Sequence, residues 1–165
     1  MRTAIGVLAL VLLAGCTLQY VPKPSPEELI VVPVFQPGQP VAIVTKTAPR
    51  EVLIPIPPYD LKVDFRKYAD SAIQLLQSEL QKRGGVVQES SAREIRFDLT
   101  DMRVVPGAGR MRCVINFTVA TGDGYLRGLE ASGTSWNFET AIDSAIVETV
   151  KAILTDDRVR KYLSE

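Results

Sequence analysis

Met111-Arg112-Cys113-Val114-Ile115-Asn116-Phe117-Thr118-Val119 places apolar side chains at every odd position and Arg112, Asn116 and Thr118 between them, with Val114 the one apolar interruption. Successive side chains of a strand point to opposite faces, so this pattern is a strand with one buried face. Upstream, Ile95, Phe97 and Leu99 alternate with Arg96, Asp98 and Thr100 in the same way. Pro106, Gly107 and Gly109 supply a connection between the two runs, and Gly122-Asp123-Gly124 supplies a hairpin into a third strand from Tyr125 to Trp136. Three consecutive antiparallel strands are expected.

On either side of these strands the period changes. From Asp64 to Arg83 the apolar positions Phe65, Tyr68, Ala69, Ala72, Ile73, Leu75, Leu76 and Leu80 fall on one helical face. Asp64 is placed to cap the amino end and Gly84 to take a left-handed stop. A second helix begins after Asn137 and carries Ala141, Ile142, Ala145, Ile146, Val150, Ile153 and Leu154, with a terminal turn opened by Thr155 or Asp156. Val41 to Val44 gives a first strand. Val52 to Ile56 is extended, but Pro55, Pro57 and Pro58 confine it to an edge or a loop. The order strand, helix, three strands, helix is satisfied by laying both helices on one face of a sheet. The expected fold is a two-layer α+β sandwich on a mainly antiparallel sheet, with Phe65, Leu76, Phe97, Ile115, Phe117, Ile146 and Val150 in its core.

The chain starts differently. Arg2 precedes an apolar run from Ala4 to Ala14, too short to span a bilayer, and the run ends in Leu13-Ala14-Gly15-Cys16. This quartet resembles the lipobox of bacterial lipoproteins. The resemblance implies cleavage between Gly15 and Cys16 and covalent diacylglycerol and N-acyl lipid on Cys16, with no other cofactor. Thr17, standing where inner-membrane lipoproteins often carry Asp, points to the periplasmic face of the outer membrane. Residues 1–15 are then a signal peptide, 16–40 a lipidated, Pro-rich tether and 41–165 a single domain. Ten of the eleven prolines precede Tyr59. Six of them lie between Thr17 and Pro40, a stretch that reads as extended polyproline reaching about 3.1 Å per residue. Within it Leu29 to Val32 is apolar enough to dock as an edge strand.

Composition removes several function classes. With 19 basic and 19 acidic residues there is no net charge to drive nucleic-acid binding. The absence of histidine removes Ser-His-Asp and Cys-His catalysis and His-bearing zinc sites. The expectation is a protein that is not an enzyme, with no catalytic and no metal-ligating residues. If Cys16 is lipidated, Cys113 is the remaining thiol, and its place in an alternating strand makes it a small core residue.

Ala141-Ile142-Asp143-Ser144-Ala145-Ile146, Ile153-Leu154-Thr155-Asp156-Asp157-Arg158 and Tyr162-Leu163, together with the element order and the lipobox, resemble the YajG-type lipoprotein family. The likeness implies an envelope lipoprotein and carries over no catalytic residues. The Pro-rich stretch from Lys46 to Asp60 departs from that pattern, which has a cleaner first strand.

The candidate partner surface is the polar side of the sheet: Arg96, Arg112, Asn116, Thr118 and Arg127, with Val114 an apolar spot among them. The first functional reading is a lipid-anchored module that binds another envelope protein. A second is an accessory subunit of an envelope lipid transporter or an activator of a cell-wall synthase. A third, glycan binding or carboxylate-dependent glycan hydrolysis, needs two carboxylates in one cleft and aromatic walls such as Tyr125 or Trp136. Pro106-Gly107-Ala108-Gly109-Arg110 has glycines and charge for a phosphate loop, but no helix follows it, so it reads as a strand connection.

Overall fold

The structure, a computed structural model, describes residues 17–26 and 32–165. The signal and lipobox residues Leu13, Ala14, Gly15 and Cys16 lie outside the described residues, as do Leu29 to Val31.

Among the described residues the helical periodicities give three helices. The first, α1 (Phe65–Lys82), is capped by Asp64, whose carboxylate accepts the Arg66 N–H at 3.1 Å, and is followed by Gly84 at φ 81°. The second, α2 (Phe138–Thr155), is capped by Asn137, which accepts the Thr140 N–H at 2.8 Å. Asp156 then caps α3 (Asp157–Ser164) by accepting the N–H groups of Arg158 and Val159. In each case a short polar side chain satisfies an amide that the helix leaves unpaired.

The strands are β1 (Thr17–Gln19), β2 (Val41–Val44), β3 (Glu51–Ile56), β4 (Tyr59–Asp64), β5 (Val87–Gln88), β6 (Glu94–Gly107), β7 (Arg110–Thr121) and β8 (Leu126–Ser135). They form a five-stranded sheet in the order β5-β2-β6-β7-β8 and a smaller one in the order β1-β4-β3. The large sheet is mainly antiparallel, as expected, and mixed through one strand. The strands β6, β7 and β8 are antiparallel through tight connections, whereas β2 runs parallel to both β5 and β6. The cause is connectivity: α1 lies between β2 and its neighbours in sequence, and a helical crossover returns the chain in the same direction. The α+β sandwich itself stands, with α1 and α2 on one face of the large sheet.

All seven residues expected in the core are at most 2% exposed, and Phe97 and Phe117 meet with ring centroids 5.5 Å apart. The inner face of β8 carries Ala131 and Gly133 because α2 lies directly on it. A Cβ at Gly133 would run into the Ala141 carbonyl and the Ala145 nitrogen. The small sheet turns Ile54, Ile56, Leu61 and Val63 into the same core and keeps β3, with Pro55, at its edge.

The Pro-rich segment differs most from expectation. Its described parts lie along the domain instead of reaching away from it. The strand β1 pairs with β4; the Tyr20 hydroxyl donates to Asp143 at 2.7 Å, and the Tyr20 carbonyl accepts from the Tyr68 hydroxyl at 3.1 Å. Further on, the Pro33 carbonyl accepts from Arg83, and the Gly38 N–H donates to the Leu163 carbonyl at 2.8 Å. Proline prevents helix and ladder formation, but it leaves these carbonyls and neighbouring side chains free to bond across the helices.

Candidate functional site

The face of the large sheet turned away from the helices is built by one residue in two from β6, β7 and β8. At Thr100 the pairing of β6 with β7 slips: Leu99 is level with Phe117, but Asp101 is level with Asn116. This bulge inserts one residue and reverses which side chains face out. Before it Arg96 and Asp98 point outward; after it Asp101, Arg103 and Val105 do. Successive rows across the face are therefore Arg96, Ala120 and Leu126; Asp98, Thr118 and Gly128; Asp101, Asn116 and Glu130; Arg103, Val114 and Ser132; and Val105, Arg112 and Thr134.

Four of the five predicted face residues lie here, though not together. Ala120, level with Arg96, and Arg112 are eight residues apart on β7, roughly 27 Å at the strand rise. Arg96 is bound up in an ion pair with Glu94 at 3.0 Å. Asp98 turns its carboxylate to the Lys46 N–H and the Thr45 hydroxyl, closing the end of β2. Thr118 and Asn116 are half-buried.

Arg127 is a correction. It sits level with Val119 on the helix side of the sheet, where its guanidinium donates to Asp156 at 2.8 Å. The Tyr125 hydroxyl donates to the same carboxylate at 2.8 Å. Burial pushes the Asp156 carboxyl upward, but the Val159 amide, Tyr125, Arg127 and the Arg158 amide outweigh it and hold it below the usual carboxylate range. Arg127 thus fastens α3 to the sheet. Its strand reads Leu126-Arg127-Gly128-Leu129-Glu130-Ala131-Ser132-Gly133, with apolar and small residues on both parities, so the face cannot be told from alternation.

The end of the face beyond Asn116 is a different environment. Arg103, Val105, Arg110, Arg112, Val114 and Glu130 line a shallow hollow of about 380 Å³. Arg103 reaches over β7 to Glu130 at 3.3 Å, and Arg112 donates to the Ser132 hydroxyl at 3.2 Å. Between them Val114 is only 4% exposed, which accounts for the apolar interruption in the β7 pattern. Arg110 lies 5.0 Å from the ring of Trp136, which is 74% exposed. Three guanidinium groups face one carboxylate, so the hollow is cationic, with apolar side chains at Val105 and Trp136 on its rim. The sequence signal for Arg103 was the change of phase from Leu99 to Met102 and Val104, both buried, which marks the bulge. Ala108 and Gly109, the latter at φ 71°, form the tight turn between β6 and β7, so the glycine-containing stretch is a strand connection.

Cys113 is fully buried, and burial pushes its thiol up to about 12. Among the described residues no three His, Cys, Asp or Glu side chains come together, and no helix is long and apolar enough to cross a membrane.

No family model and no curated protein matches the chain. Among solved structures, a Xanthomonas campestris protein of the family model DUF330 is similar with a TM-score of 0.54 and 14% identity, over 88% of this chain and 95% of that one. That likeness shows a shared fold. A minor lipoprotein from Acinetobacter baumannii reaches a TM-score of 0.37 and 10% identity over 70% of this chain and 89% of its own, too low to bear on the fold. Neither is named as YajG-type.

Proposed function

We propose that this chain is an envelope lipoprotein without enzymatic activity, anchored through lipid on Cys16 at the periplasmic face of the outer membrane. Its role is to bind an envelope protein through the cationic end of its open sheet face. The lipobox and the YajG-type resemblance support the address. The observation that carries the binding role is the hollow of Arg103, Arg110 and Arg112 beside exposed Val105 and Trp136. Arginine and tryptophan are the side chains that contribute most at protein interfaces, and the excess of positive charge selects an acidic segment.

A second reading, an accessory subunit of an envelope lipid transporter, is favoured by the mixture in the same hollow. Guanidinium groups beside Val105 and Trp136 also suit a phosphate headgroup with the start of its acyl chains. One experiment separates the readings. The full chain is purified from detergent-solubilised membranes alongside an Arg103→Glu/Arg110→Glu/Arg112→Glu variant. One recurrent envelope protein that is lost from the variant supports the first reading. Bound phospholipid that is lost from the variant supports the second. The same proteins and lipids retained by both would remove the hollow from the function.

A further inference from the structure

If Cys16 carries lipid, as proposed above, the acyl chains are one peptide link from Thr17, which is already part of the fold. Thr17 begins β1 and lies level with Asp60 of β4, Leu18 packs on the core level with Leu61, and Gln19 lies level with Lys62. Directly after β1 the chain is pinned again. Tyr20 donates to Asp143 and sets its ring edge-on to Phe138 at 6.1 Å, and the Lys23 N–H donates to the second oxygen of Asp143 at 2.8 Å. No free length separates the lipidated residue from the domain, since one peptide link spans about 3.8 Å between Cα atoms.

Because β1 runs parallel to β4, its amino end points toward the start of β4, where the turn Pro57-Pro58 leads from β3 into Tyr59, the first residue of β4. Pro57, Pro58 and Tyr59 are all exposed, Tyr59 by 44%. On the outward face of the same small sheet Leu53 is 57% exposed and lines, with Thr17 and Lys62, a hollow of about 570 Å³. The charges beside it are matched, Lys62 bonding Glu51 at 2.8 Å. Tyr59 has the parity of Leu61 and Val63, so it emerges at the sheet end on the side opposite Leu53. Exposed tyrosine and prolines at this end suit the boundary between headgroups and water, where aromatic residues concentrate.

We infer that this end of the small sheet, the Pro57-Pro58 turn with Tyr59, rests on the bilayer and fixes the domain against the membrane in one orientation. The Pro-rich segment is then a strap that holds the anchor to the fold.

The test uses the lipidated full chain with Trp136→Phe, in which Tyr59→Trp or Leu126→Trp supplies a single fluorophore. Each is reconstituted into phosphatidylethanolamine and phosphatidylglycerol vesicles with brominated acyl chains. The expected result is loss of most emission for Tyr59→Trp and none for Leu126→Trp, which sits on the open face of the large sheet. A flexible Gly-Ser insertion between Cys16 and Thr17 should restore the emission of Tyr59→Trp. Vesicle flotation and intact mass report lipidation separately. Protein that is acylated and floats, but is quenched equally at both positions, overturns the inference alone. Protein without added mass that fails to float, behaving as Cys16→Ser does, takes down the lipid reading and the inference with it.

Discussion

The two faces of the five-stranded sheet come from the same strands, residue by residue, and answer to different constraints. On the inner face Phe97 and Phe117 fill the space under the helices, while Gly133 is the only size that lets α2 lie on β8. On the outer face a Cβ at Gly128 would meet nothing within 4 Å, and Leu126 is left 69% exposed. The inner side chains are dictated by packing to near-crystalline density. The outer ones are not, so the arginines gathered at one end of that face call for an explanation in binding.

Substitutions at matched positions can break this contrast. Phe117→Ala should have the largest effect, about 4 kcal/mol from lost burial and the cavity left behind, read by chemical denaturation. Gly133→Ala follows at about 2 kcal/mol, because the methyl meets helix backbone that cannot step aside; an unchanged midpoint would mean that α2 does not lie against β8 at Gly133.

Asp156→Ala should cost about 2 kcal/mol by removing the α3 cap together with the partner of Tyr125 and Arg127. The contribution is pH-dependent. The folded carboxyl is held below its unfolded value, so its stabilisation is fully present above about pH 3.9 and is lost as pH falls through the folded pKa. The wild-type and Asp156→Ala denaturation midpoints should therefore converge on acidification; a gap that persists below that range would assign the effect to packing.

At the small end, Gly128→Ala and the charge reversal Arg110→Glu/Arg112→Glu should each leave stability within about 0.5 kcal/mol of wild type. A large loss from either would make the open face structural.

The helices, the caps Asp64 and Asn137 and the core were legible because each rests on local chemistry: a period of 3.6, a short polar side chain at the start, a glycine past the end. The third cap was narrowed only to Thr155 or Asp156. What escaped had no local signature. The bulge at Thr100 leaves only a change of phase between Leu99 and Met102, and missing it hides Arg103 and Val105 from the open face. The docking of the Pro-rich segment depends on Tyr20 meeting Asp143, 123 residues away. Arg127 was placed on the wrong side because its strand has small residues on both parities. The open face was therefore legible as a face, but its cationic end depends on an irregularity that alternation averages out.

The measurement that bears most directly on the open face places photo-crosslinking side chains in intact cells at Thr118, Asn116, Arg112 and Thr134, with buried Ile115 as the control. The expected result is capture of one recurrent species that rises from Thr118 toward Thr134 and disappears when Arg103 and Arg110 are reversed to Glu. Uniform capture along the face, or capture no greater than at Ile115, would contradict a binding site at its cationic end.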